Sequence, residues 1–67
     1  MTDAQFTALA QLLRLRQGRA QEAVRLHLVQ NLSVPDAARS AGVDYQLALK
    51  AAHRVNAGLA LIKKISS

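Results

Sequence analysis

Gln46 and Lys50 stand one helical turn apart, just after a segment that reads as the start of a helix at Asp44. An amide and an ammonium at that spacing suit neighbouring base edges in a major groove. Glutamine bonds adenine bidentately and lysine donates to guanine N7 and O6, each worth roughly 1–3 kcal/mol of discrimination. Tyr45 and Leu49 share the same opening turns and complete the base-contact candidates. The Tyr45 hydroxyl suits a phosphate, or its ring a sugar, while Leu49 either touches a thymine methyl or belongs to a protein interface. The phosphate-contact candidates are Arg39 and Ser40 before the turn, His53 and Arg54 farther along the helix, and Arg19 upstream. Arg14, Arg16 and Arg25 could add backbone contacts with Arg19, although a plain solvated arginine is the better account of any one of the four.

No other chemistry is spaced for work. The sequence shows no nucleophile beside a base, no paired carboxylates and no glycine-rich phosphate loop, so an enzyme is not expected. Cysteine is absent, and neither His27 nor His53 has a carboxylate at ligand spacing, so no metal site or cofactor is expected. His27 lies on or beside an apolar stripe and reads as a partly buried histidine with a hydrogen-bond partner.

Four helices must position these residues. Thr2 and Gln5 form a capping box for the first, whose stripe runs Phe6, Leu9, Leu12 and Leu13. Its end is expected at 15–17, with Gly18 as the stop. The second helix spans about 19–30. Ala20, Ala23, Val24, His27 and Leu28 face inward, Glu22 and Arg25 face outward, and Asn31 closes the end in a left-handed conformation. Ser33 caps the third, with Asp36 reciprocal, Pro35 in the first turn and Leu32 stapled to Ala37. Ala38 permits a close crossing, Gly42 takes the positive φ of the turn, Val43 plugs it, and Asp44 caps the fourth helix. In that helix Ala48, Ala51 or Ala52, and Val55 turn inward. The expected fold class is all-α: a small bundle of about four helices containing a helix-turn-helix.

The fourth helix carries two apolar lines. One is Ala48, Ala52, Val55, Leu59 and Ile62; the other is Leu47, Ala51, Gly58, Leu61 and Ile65. Together they exceed what a three-helix core needs. Leu59, Leu61, Ile62 and Ile65 are therefore the dimer-interface candidates, the alternative being that this end folds back over the first helix. Gly58 permits close approach or marks a bend, Lys63 and Lys64 suit a helix C-terminus, and residues 65–67 are expected to fray.

At 67 residues the chain reads as one domain, 1–67, with about 56–65 contributing to dimerisation. With 51% hydrophobic residues but one Phe and one Tyr, its core must be mostly Ala, Leu and Val, which suits close-packed helices. A net charge of +5 favours polyanionic partners, although acidic membranes and acidic proteins also attract basic chains. No basic-then-apolar leader opens the sequence and no run of about 18 apolar residues occurs, so a cytoplasmic location is expected.

Three segments carry a family resemblance. Thr2-Asp3-Ala4-Gln5-Phe6, the run Ala38-Arg39-Ser40-Ala41-Gly42-Val43, and Ala52-His53-Arg54-Val55 resemble, in order and at nearly the same spacing, the DNA-binding part of the TrfB/KorA family of plasmid transcriptional repressors. The likeness covers about residues 2–57. It implies an all-helical domain binding a palindromic operator in double-stranded DNA as a homodimer. The setting it implies is the bacterial cytoplasm, at nucleoid or plasmid. Two departures accompany it. The family's separate C-terminal dimerisation region has no counterpart in this sequence. Tyr45 and Lys50 stand where the family has a base-reading arginine and glutamine, so operator sequence does not transfer. The competing expectation is a helical protein-interaction module, an adaptor or anti-regulator, that binds a partner protein rather than DNA. A protein co-regulator is compatible with either. A membrane-bound amphipathic helix, suggested by Leu59–Ser67 alone, conflicts with the caps and the turn that precede it.

Overall fold

The structure, a computed structural model, describes residues 1–66. It is all-α: α1 (Asp3–Leu12), α2 (Arg19–Val29), α3 (Val34–Ala41) and α4 (Tyr45–Ser66). α2 is the hub, packing on each of the other three, whereas the backbone of α1 approaches α2 alone.

The caps form as their residue types dictate. The Gln5 N–H donates to Thr2 Oγ1 at 3.1 Å, and the Thr2 N–H donates to Gln5 Oε1 at 2.9 Å, so two orphan donors of α1 are satisfied reciprocally. At α3 the Asp36 N–H donates to Ser33 Oγ at 3.3 Å. The Asp36 carboxylate does not turn back to Ser33; it lies 3.8 Å from Arg39 Nη1. Asp44 caps α4, its carboxylate accepting from the Gln46 N–H at 3.1 Å.

Two helix ends share one hydrogen-bond pattern. After α3 the Val43 N–H donates to the Ala38 carbonyl (3.0 Å) and the Gly42 N–H to the Arg39 carbonyl (3.3 Å), with Gly42 left-handed at φ 72°. After α1 the Leu15 N–H donates to Ala10 (2.9 Å) and the Arg14 N–H to Gln11 (3.2 Å), but the left-handed residue is Arg14, at φ 55°. α1 therefore stops at Leu12, earlier than the expected 15–17, and Gly18 is not its stop. Gly18 instead has extended backbone and forms the N-cap of α2. Asn31 is left-handed as expected, at φ 60°. The His27 Nδ1–H donates to the Leu32 carbonyl at 2.7 Å, tying α2 to the connection that leads into α3. α4 continues through Ile65 to Ser66 rather than fraying there, and Ser67 lies outside the described residues.

The core has two parts. Phe6, Leu9, Ala10, Val24, Ala52 and Val55 form the larger, joining α1, α2 and α4. The smaller consists of methyl groups alone: Ala23 of α2, Ala37 and Ala38 of α3, and Ala48 of α4, rimmed by Leu32 and Val43. Methyl-only contact lets three backbones approach closely at no cost in side-chain rotamers. The stripe of α1 runs through Ala10 and Leu13, not Leu12, which is 66% exposed because it lies about 100° around the helix from Leu13. Gly58 allows α4 to pass under Leu13: a Cβ there would lie 2.7 Å from Leu13 Cδ1. It is a point of close approach.

Glu22 and Arg25 do not simply face outward. Arg25 Nε donates to Glu22 at 2.9 Å and its Nη1 to Asp3 of α1 at 3.1 Å, so one guanidinium clamps α1 to α2. The hydrogen bond and charge of Arg25 hold the Glu22 carboxyl below its ordinary value of 4.5, against a smaller opposing push from burial. The Glu22 and Asp3 carboxylates hold Arg25 above its own.

Candidate nucleic-acid interface

α3, the turn at Gly42–Asp44 and the first half of α4 hold most of the residues singled out by type. Their placement follows from which side of α4 is apolar. Ala48, Ala52 and Val55 are buried and Ala51 half-buried, so the opposite side of the helix is open to solvent. Tyr45, Gln46, Lys50, His53 and Arg54 are all exposed. Gln46 and Lys50 lie one turn apart on that open side with His53 close to their line, as a period of 3.6 requires. None of these side chains has a hydrogen-bond or ion-pair partner among the described residues.

Leu49 does not share their exposure. It is half-buried on the flank of α4, and Leu47, on the other flank, is the leucine that faces solvent at 55%. Leu49 thus offers an edge and not a full side chain to anything that approaches α4.

Arg39 and Ser40 are exposed at the end of α3, on the same connection that delivers α4. Arg39 pairs with Asp36 at 3.8 Å, with both side chains more than half exposed. An exposed pair three residues apart contributes only about 0.2–0.5 kcal/mol, so Asp36 holds Arg39 weakly. Arg25, by contrast, is engaged by Glu22 and Asp3 and is not available to a backbone. Arg19 opens α2, exposed and without a side-chain partner.

Spacing along the chain did not bring Arg14, Arg16 and Arg54 together; the fold does. All three line one cavity of about 290 Å³ between the α1–α2 connection, α2 and α4, whose apolar wall includes Leu15, Val24 and Val55. Arg14, left-handed at φ 55°, and Arg16 belong to the connection that forms one side of it.

The dimer-interface candidates divide. Leu59 and Ile62 are half-buried, packed on the main core, and share an apolar groove with Met1, Leu9 and Leu12 of the N-terminal segment. This end of α4 does fold back beside α1 to that extent. Leu61 and Ile65 remain exposed at 63% and 85%.

Among the described residues no group of three His, Cys, Asp or Glu could hold a metal ion, and no helix is long and apolar enough to cross a membrane. No protein-family model, curated protein or solved structure matches this chain.

Proposed function

We propose that this chain is a sequence-specific DNA-binding transcriptional repressor of the TrfB/KorA type, binding a palindromic operator in double-stranded DNA as a homodimer in the cytoplasm, without catalysis. α3 and α4 act as a helix-turn-helix, and α4 is the recognition helix. One observation carries the reading: α4 buries Ala48, Ala52 and Val55 and leaves Gln46 and Lys50 exposed and unpartnered near its N-terminal end. Early positions of a recognition helix reach base edges, so Gln46 and Lys50 read bases while Tyr45 meets a phosphate or sugar. Arg39, Ser40, His53 and Arg54 fix the register on the backbone, and a charge of +5 supplies the salt-dependent attraction. Leu61 and Ile65, with Leu12 and the groove beside Leu59 and Ile62, offer the surface for a second copy.

The test begins with an operator selected from random-sequence duplexes. Lys50→Ala should weaken operator binding and relax preference at one base pair. Arg39→Ala should weaken binding to all sequences alike and reduce the slope of log K against log salt by about one. Two variants that bind like the parent would refute the groove placement.

A second reading is favoured by the exposed leucines and isoleucine of α4, Leu47, Leu61 and Ile65. They suit a helical adaptor or anti-regulator that binds a partner protein through this helix. Gel shifts across salt concentrations separate the two, because an adaptor retains no duplex at moderate ionic strength.

A further inference from the structure

Four features coincide at the cavity beneath α4. It is lined by Arg14, Arg16 and Arg54, which come from two distant parts of the chain, and no carboxylate lines it. None of the three guanidinium groups has a hydrogen-bond or ion-pair partner among the described residues. Its wall is otherwise largely apolar, with Val24 and Val55 at the core side. Gln21 lies between this cavity and a neighbouring recess beside Gly18 and Arg25, and its Oε1 is buried without a hydrogen-bond donor.

Each feature calls for an explanation that the helices alone do not supply. Three exposed guanidiniums at one recess, with no carboxylate to neutralise them, make it electropositive and favour an anion there. A buried acceptor without a donor is costly, and native structures rarely retain one without a reason. The left-handed backbone at Arg14 is where glycine or asparagine is cheapest, yet the residue is arginine. Strain of this kind concentrates at ligand clamps. Here it directs a guanidinium-bearing residue into the cavity wall.

We propose that this cavity binds a small organic anion: a phosphate or carboxylate head on a compact apolar body that carries a hydrogen-bond donor. The head pairs with the three guanidiniums, the body covers Val24 and Val55, and the donor meets Gln21 Oε1 once that amide turns toward the cavity. At about 290 Å³ the space is at the lower limit of ligand pockets and suits a single-ring compound. A duplex backbone presents phosphates on a convex surface and has no apolar body to bury here. The inference shares Arg54 with the DNA reading but does not rest on it, because the site needs no duplex and is tested without one.

The test uses the intact isotope-labelled chain without DNA, followed by NMR. Phenyl phosphate is the first probe, 4-hydroxybenzoate the donor-bearing one, and inorganic phosphate and phenol the single-feature controls. Phenyl phosphate and 4-hydroxybenzoate should shift the Arg14, Arg16 and Arg54 Nε–H signals and the Val24 and Val55 methyls together and saturably. Binding should be at least about tenfold tighter than either control. Arg54→Gln, an exposed change, should weaken it about tenfold. Ala51→Leu, which fills the cavity, should abolish it; Arg16→Gln serves in its place should that variant not fold. The proposal is overturned if inorganic phosphate shifts the arginines as strongly as phenyl phosphate and the valine methyls stay still. It is equally overturned if no probe saturates, if only duplex DNA moves these signals, or if Arg54→Gln leaves the affinity unchanged.

Discussion

Replacing Arg14 with glycine should make the protein more stable. Arg14 closes α1 with the same pair of hydrogen bonds that Gly42 uses to close α3, but it carries a Cβ into the left-handed region at φ 55°. That conformation costs an L-residue about 1–2 kcal/mol. Glycine removes the cost and returns about 0.5–1 kcal/mol of it through the greater freedom of the unfolded chain. The net gain lies between about 0 and 1.5 kcal/mol, and its middle, about 0.75 kcal/mol, raises Tm by about 3–6 °C for a chain of this size. Removing a positive charge from a basic protein could also help, so Arg14→Ala is the necessary control: it deletes the same charge while keeping the strained backbone. Thermal and urea unfolding of the parent and both variants, followed by circular dichroism, give the comparison. Gly42→Ala is the mirror experiment. A Cβ there would meet nothing within 4 Å, so its expected loss of about 1 kcal/mol or more is purely conformational. If Arg14→Gly were no more stable than Arg14→Ala, α1 would not stop in this turn and the strain argument would fail.

Gly58 and Leu13 should be energetically coupled. Gly58→Ala gains about 1 kcal/mol of helix propensity but drives a methyl into Leu13, so its benefit should appear only beside Leu13→Ala. A double-mutant cycle should show about 1–2 kcal/mol of interaction, and additive effects would refute the contact. Ala38→Leu should cost about 1–3 kcal/mol by urea unfolding, because the added atoms fall where Ala23, Ala37 and Ala48 hold three helices close together. The Glu22 carboxyl has a folded-state value below its ordinary 4.5, so the unfolded chain binds more protons in that window. Its contribution is present above pH 4.5 and is lost as pH falls through the depressed value. Tm measured from pH 6 to pH 2 should therefore fall less steeply in Glu22→Gln than in the parent; equal slopes would show that the Arg25 clamp does not form.

What could be read from residue order was whatever local chemistry decides. The capping box at Thr2 and Gln5, the left-handed Asn31 and Gly42, the half-buried His27 and the buried face at Ala48, Ala52 and Val55 all depend on neighbours within a turn or two. The end of α1 escaped because a left-handed stop is sought at glycine, and Gly18 was nearby while Arg14 was not a suspect. Leu12 and Leu49 looked equivalent to their neighbours because i, i+3 and i, i+4 spacing leaves the edges of a stripe undefined. The clamp of Arg25 on Asp3 and the convergence of Arg14, Arg16 and Arg54 join residues far apart in the chain. No spacing rule signals either. The division of Leu59 and Ile62 from Leu61 and Ile65 depends on where α1 lies, which only tertiary packing decides.

The seam of Ala23, Ala37, Ala38 and Ala48 has a mechanical consequence. Larger side chains can settle into alternative rotamers and so let adjoining helices slide or swivel; methyl groups offer one fit or none. With Leu32 and Val43 closing the rim of that seam, α3 and α4 should move on α2 together rather than separately. A load applied to the far half of the long helix, where Leu59, Leu61, Ile62 and Ile65 lie, should therefore carry α3 with it.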